Sequence, residues 1–208
     1  MLEASIIADA LCNKGWWVGE NALEKKLQSD LAGEARGWQQ RGAMKFAGVG
    51  RGVAHQLDAA TRSDAIFWLD GSTPAQQAYL AGMESLRGAL NRELMLGLFE
   101  FEAHFAHYLP GAYYRKHRDS FAGASNRIVS VVSYFNPGWV TENGGELLIY
   151  DEVGTTEQVR VLPEVGTVVI FMSEKIPHEV LPACCDRYSI AGWFRVNASS
   201  GARIDVMG

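Results

Sequence analysis

The sequence predicts a mainly β chain with supporting α-helices, its core a jelly roll (a double-stranded β-helix). Three observations point there. Helical patterns stay in the first half of the chain, short strand-like runs recur at even spacing from about residue 97, and Gly/Pro/Asn clusters separate those runs. At 208 residues, 48% hydrophobic and 21% charged, the chain is long enough for one well-cored domain and too apolar for disorder. The expectation is a single domain over 1–208, with helical support and a lid region over 1–96, the jelly-roll core over 97–197 and a tail over 198–208.

Residues 3–12 and 20–40 have helical character; in the second, Ala22, Leu23, Leu27 and Leu31 recur at helical spacing among Glu24, Lys25, Lys26 and Asp30. The stretch 43–73 has no such period. Gly48, Gly50 and Gly52 break it and Arg51, Arg62 and Asp64 dot it, so it reads as a mobile lid beside a rigid core. Ser72-Thr73-Pro74 opens a helix over about 74–92, with proline in the first turn and Ala78, Met83, Leu86 and Leu90 expected inside. Phe99–Tyr108 alternates faces as a strand does. Ile128–Phe135, Glu146–Tyr150, Gln158–Leu162, Thr167–Met172 and Ser189–Val196 follow, set apart by breaks such as Asn136-Pro137-Gly138 and Asn143-Gly144-Gly145.

Twenty-four acidic against nineteen basic residues give a net charge of −5, so no basic surplus exists for phosphate contacts and no nucleic-acid partner is expected. No apolar run approaches the about 18 residues of a membrane span, and Glu3 and Asp9 spoil a signal peptide. The cysteines are Cys12 and the neighbours Cys184 and Cys185, a poor basis for a disulfide framework. A reducing, cytoplasmic setting without a membrane partner is expected.

The candidate chemistry lies in His117-Arg118-Asp119, answered by His178 and then by Arg187. Residues two apart on a strand point the same way, so His117 and Asp119 reach one ion from a single strand end. His178, its backbone restricted by Pro177, joins them from a neighbouring strand. Two imidazoles and one carboxylate form the facial set that holds non-haem Fe(II) with coordination positions left open. Taken alone, His178 reads more simply as a hydrogen-bonded core histidine. Arg187 shares a face with Ser189, Ala191 and Trp193. A guanidinium aimed into an apolar barrel is costly unless an anion meets it, and bidentate pairing favours a carboxylate. Tyr134, on one face with Val132 and Ser130, either adds a hydroxyl to that pocket or is a core tyrosine. His104 shares the face of Tyr108 and would look into the pocket, whereas His107 points away and reads as structural. Gly48-x-Gly50-x-Gly52 lacks the strand-then-helix frame of a dinucleotide loop, and Cys184-Cys185 lacks zinc-ligand spacing.

The segment Tyr108-Leu-Pro-Gly111-Ala-Tyr-Tyr114-Arg-Lys-His117-Arg-Asp119 resembles the signature of the prolyl 4-hydroxylase branch of 2-oxoglutarate/Fe(II) oxygenases. Tyr134, Gly144-Gly145-Glu146-Leu147, Pro177-His178-Glu179-Val180, Arg187-Tyr188 and Trp193 follow in the family's order, so the resemblance covers about residues 99–197. Arg187, at a position where collagen-type enzymes have lysine, makes the chain most similar to hypoxia-inducible-factor-type prolyl hydroxylases and their bacterial relatives. Gly50-Arg51-Gly52 and Ile66-Phe67-Trp68-Leu69-Asp70-Gly71 match that subgroup more patchily.

The resemblance implies that His117, Asp119 and His178 bind iron, that Arg187 with Tyr134 binds the distal carboxylate of 2-oxoglutarate, and that Tyr108, Leu147 and Trp193 line its pocket. It puts Arg127 near the substrate entrance; from the 43–73 segment itself, Arg51, Arg62 and Asp64 are expected to make polar contacts to a peptide. The implied reaction hydroxylates a substrate C–H, foremost a prolyl residue of a protein, while 2-oxoglutarate and O2 become succinate and CO2, with ascorbate an accessory reductant. Bacterial relatives suggest a translation elongation factor as a partner. The rivals are a small-molecule hydroxylase acting on, for example, a free amino acid, a nucleobase demethylase, and a non-catalytic jelly-roll binder of metal or sugar. The demethylase would take its arginine at Arg195 with another six residues on, where Gly201 stands. The binder leaves Arg187 and Tyr134 as coincidences.

Overall fold

A computed structural model describes residues 2–48, 60–120 and 126–197. Three helices buttress a rolled sheet: α1 (Ala4–Lys14), α2 (Lys25–Gln40) and α3 (Pro74–Leu94). α3 starts as its sequence dictates: the Thr73 hydroxyl accepts from Gln76 N at 3.2 Å, and Pro74 sits in the first turn, where a missing N–H costs nothing. Met83, Leu86 and Leu90 are buried as expected. Ala78 is exposed instead, because the apolar stripe runs through Ala75 and Tyr79. α2 begins at Lys25 and not at residue 20, since Ala22 donates its N–H to the Gly166 carbonyl and belongs to the connection. No described helix is long and apolar enough to cross a membrane.

Two antiparallel sheets make the roll. The larger contains β1 (Trp16–Gly19), β2 (Lys45–Phe46), β3 (Ala65–Trp68), β4 (Leu98–Tyr108), β6 (Arg127–Tyr134), β9 (Val168–Met172) and β11 (Arg187–Val196), in the order β1-β9-β6-β11-β4-β3-β2. The smaller contains β5 (Tyr114–His117), β7 (Leu147–Tyr150), β8 (Glu157–Val161) and β10 (His178–Val180), in the order β5-β10-β7-β8. The six strands read from alternation are all present within a residue or two. The two- to four-residue strands β1, β2, β3, β5 and β10 are too short to display a period. The stretch 43–73 is thus no free loop at its two ends: β2 pairs with β3, and β3 pairs with β4 at the sheet edge. Arg51 lies outside the described residues.

One apolar cluster, including Ile7, Leu31, Met83, Phe105 and Phe194, sits between the helices and the larger sheet. A second, including Tyr108, Tyr134, Leu147, Ile149 and Phe171, fills the inside of the roll. Alternation along β4, β6 and β11 sends one set of side chains to the helices and the other inward, and the inward set builds the site.

Candidate active site

β5 and β10 are antiparallel neighbours with His117 opposite His178, which brings together two residues far apart in sequence. His117 Nε2 lies 3.4 Å from Asp119 Oδ1, and His178 Nε2 lies 3.7 Å from Asp119 Oδ2. One ligand atom from each of the three residues falls within 4.8 Å of the others. Both rings are oriented from behind. Nδ1 of His117 donates to the Arg115 carbonyl at 2.7 Å, and Nδ1 of His178 to the Ile176 carbonyl at 3.1 Å. A carbonyl only accepts, so Nδ1 carries a proton and Nε2 is the nitrogen that faces the centre, the orientation metal-binding imidazoles require.

Burial, and then His117, push the His178 pKa down to about 4 against the pull of Asp119, so the ring is neutral at physiological pH. Burial alone would raise the pKa of Asp119. The two imidazoles and a 2.7 Å hydrogen bond from Ser130 Oγ outweigh it and hold the carboxyl well below its usual range. Ser130 is itself 2.8 Å from Ser173 Oγ. Two imidazoles and an ionised carboxylate are the donor set that suits Fe(II).

The triad opens into a cavity whose wall also includes Arg187, Tyr134, Tyr108, Leu147 and Trp193. Arg187 is 1% exposed, yet no carboxylate among the described residues pairs with it. Its Nε donates to the Gly145 carbonyl at 2.8 Å, and its guanidinium faces the rings of Tyr108 and Tyr134 at 4.8 and 4.9 Å. Among the described residues, the buried Tyr134 hydroxyl and Trp193 Nε1 have no hydrogen-bond partner. Burial pushes the Tyr134 pKa up to about 12 despite the nearby cation, so the group is a donor. A buried cation beside an idle hydroxyl donor is a site for an anion such as a carboxylate. The residues present fit both the metal and the dicarboxylate.

The other sequence candidates fall in place unevenly. His104 does line the cavity, its Nδ1 on the Phe105 carbonyl at 3.2 Å, and burial with help from Arg62 lowers its pKa to about 4. His107 turns to the opposite face, as expected. Arg127 also lines the cavity, paired with Glu102 at 2.7 Å and lying 3.5 Å over the Trp193 ring. Asp64 reaches the same wall, but it is fully buried and gripped by Arg62 through bonds of 2.7 and 2.6 Å, so it meets a ligand only as part of that pair. Sequence reasoning missed Ser130 and Ser173 as supports of Asp119. Arg62-x-Asp64 carried a usable signal, opposite charges two apart on an extended backbone.

A double-stranded β-helix with two imidazoles and a carboxylate facing an open pocket defines the class of mononuclear non-haem iron proteins. Comparison with known proteins narrows the class. Residues 103–195 match the family model of the 2OG-Fe(II) oxygenase superfamily. The crystal structure of a Pseudomonas putida prolyl-4-hydroxylase is 39% identical, covering 94% of this chain and 100% of that one, with a TM-score of 0.85. A Trichoplax adhaerens prolyl hydroxylase, solved with a hypoxia-inducible-factor oxygen degradation domain peptide, is 25% identical over 92% of this chain and 88% of its own, with a TM-score of 0.83. Human Egl nine homolog 1 is 28% identical over 99% of this chain and 49% of its own, so the chain spans about half the length of that curated relative. The chain belongs to the 2OG-Fe(II) oxygenase superfamily.

Proposed function

We propose that this chain is a 2-oxoglutarate- and Fe(II)-dependent hydroxylase of prolyl residues in a protein or peptide. The observation that carries the reading is one cavity holding both a metal-ready triad and a buried arginine that, among the described residues, has no carboxylate partner and stands beside a tyrosine hydroxyl with no hydrogen-bond partner. In this reading His117, Asp119 and His178 hold the metal, which with 2-oxoglutarate and O2 supplies the oxidation of a substrate C–H. Arg187 and Tyr134 hold the distal carboxylate, while Tyr108, Leu147 and Trp193 shape the co-substrate's space and keep bulk water from it. Ser130 keeps Asp119 ionised and aimed. Arg127 and the Arg62–Asp64 pair form the polar side of the wall toward a peptide, with Arg51 a further contact from the sequence between β2 and β3. Likeness to a protein described as a prolyl-4-hydroxylase and to one solved with a peptide supports a peptidyl substrate. A translation elongation factor is the first protein to try, ascorbate the first accessory reductant, and the cytoplasm the proposed compartment.

The test is anaerobic loading with Fe(II), 2-oxoglutarate and cell extract, then O2, with mass spectrometry for proline-containing peptides that gain one oxygen atom. Succinate release that follows such peptides supports the proposal. Release driven by free amino acids and not by peptides would move the substrate to the small-molecule class.

A further inference from the structure

Outside the cavity, one contact bears directly on Arg187. His107, on β4, is 3% exposed and faces away from the pocket. Its Nε2–H donates to Asp186 Oδ1 at 2.7 Å, and its ring stacks on that of Tyr188 at 4.6 Å and 9°. Asp186 and Tyr188 are the two residues that flank Arg187. In the β4–β11 ladder Tyr188 lies opposite His107 and Arg187 opposite Tyr108. One imidazole therefore grips the chain on both sides of the buried guanidinium.

We infer that His107 and Asp186 are positioning residues for the co-substrate anchor, clamping the start of β11 to β4 and so aiming Arg187 at the 2-oxoglutarate carboxylate. The inference rests on the proposed role of Arg187. Without a carboxylate partner among the described residues, the guanidinium takes its direction from its backbone, the Gly145 carbonyl and two tyrosine faces. A swing of about 10° at the backbone moves the tip of an arginine by about 1 Å, enough to spoil a bidentate contact. The remaining neighbours do not replace the clamp. Asn136 holds Tyr188 from the β6 side, accepting from its N–H at 2.7 Å and donating to its carbonyl at 2.9 Å. That fixes the strand in the sheet after Arg187. Before Arg187, the side chain of Asp186, itself 54% exposed, ties the chain to β4.

The test measures binding of 2-oxoglutarate and of 2-oxobutyrate, which has the same 2-oxo acid head but no distal carboxylate, to the Mn(II)-loaded protein by tryptophan fluorescence. Asp186→Ala and His107→Ala should each weaken 2-oxoglutarate about five- to twentyfold and leave 2-oxobutyrate within about twofold. The double variant should be no worse than the weaker single one, and Asp186→Asn, which still accepts the hydrogen bond, should restore most of the affinity. Equal weakening of both ligands would make the pair a general support of the fold and overturn the inference, as would unchanged 2-oxoglutarate binding. Arg187→Ala run alongside separates the two levels. If it leaves 2-oxoglutarate binding intact, the role of Arg187 itself is wrong; if it weakens binding while the clamp variants do not, only the clamp is wrong.

Discussion

Tyr134→Phe should make the ligand-free protein more stable and the enzyme worse. Among the described residues the buried hydroxyl has no partner, a condition that costs about 1–3 kcal/mol relative to a satisfied group. Phenylalanine keeps the ring, its packing and its face toward Arg187, 4.9 Å away, and removes only the idle dipole. We expect a gain of about 1 kcal/mol, which in a domain of this size raises Tm by about 2–4 °C. When 2-oxoglutarate binds, the same hydroxyl gains an acceptor, so its loss should cost about 1–1.5 kcal/mol of affinity, or roughly five- to twelvefold in Kd. Differential scanning calorimetry of the metal-free protein gives the first quantity, and 2-oxoglutarate titration of the Mn(II)-loaded protein the second. Opposite signs are the signature of a group held unsatisfied for a ligand. A fall in Tm with unchanged affinity would show instead that Tyr134 is an ordinary core tyrosine whose hydroxyl is satisfied in solution.

Ser130→Ala removes the hydrogen bond that aims Asp119 and should weaken metal binding about 10- to 100-fold, measured by Co(II) titration, with little change in urea midpoint. Gly145→Ala places a methyl 3.0 Å from Arg187 Cδ and 3.1 Å from Ala183 Cβ at a φ of +69°, so it should destabilise by at least about 1 kcal/mol in urea melts and weaken 2-oxoglutarate as well. Acid should act through His178 and His104, each with a folded pKa near 4 against an ordinary 6.5. Between those values the unfolded chain binds more protons, so metal-free stability is full above pH 6.5 and falls as pH drops toward 4, by up to roughly 3 kcal/mol per histidine. Asp119, held below its ordinary 3.8, adds its loss only at still lower pH. His104→Asn should remove about half of the slope in urea melts between pH 4 and 6.5, and a flat profile in the parent chain would contradict the buried neutral rings.

Side chains that repeat at a period, or sit two apart on a strand, are legible in the amino-acid sequence itself. Arg187, Ser189, Ala191 and Trp193 all line the cavity because β11 is long enough for alternation to be plain. His117 and Asp119 also converge, although β5 ends at His117 and Asp119 lies on the bend beyond it, so strand alternation alone does not place the pair. What sequence does not show is pairing across the roll. Ser130 meets Ser173, and His107 meets Asp186, because the sheet lays β6 beside β9 and β4 beside β11, and such pairing leaves no local mark in residues so far apart. Asp64 reads in the sequence as a peptide contact, but an arginine two residues away already occupies it, and burial cannot be read from a charged residue's identity.

The pairing of β5 with β10 has a consequence for how the protein acquires its metal. About 60 residues separate His117 from His178, and the chain between them crosses to the larger sheet as β6, returns as β7 and β8, and crosses again as β9. Closing a loop of that length costs about 3–4 kcal/mol of chain entropy. Neither half of the triad holds an ion well by itself. An ion therefore meets its full ligand set only after both sheets are laid down, so it arrives as a late passenger on a chain already folded and not as the seed around which folding begins. Newly made protein and protein stripped by a chelator should thus be the same species, equally ready to be charged or recharged.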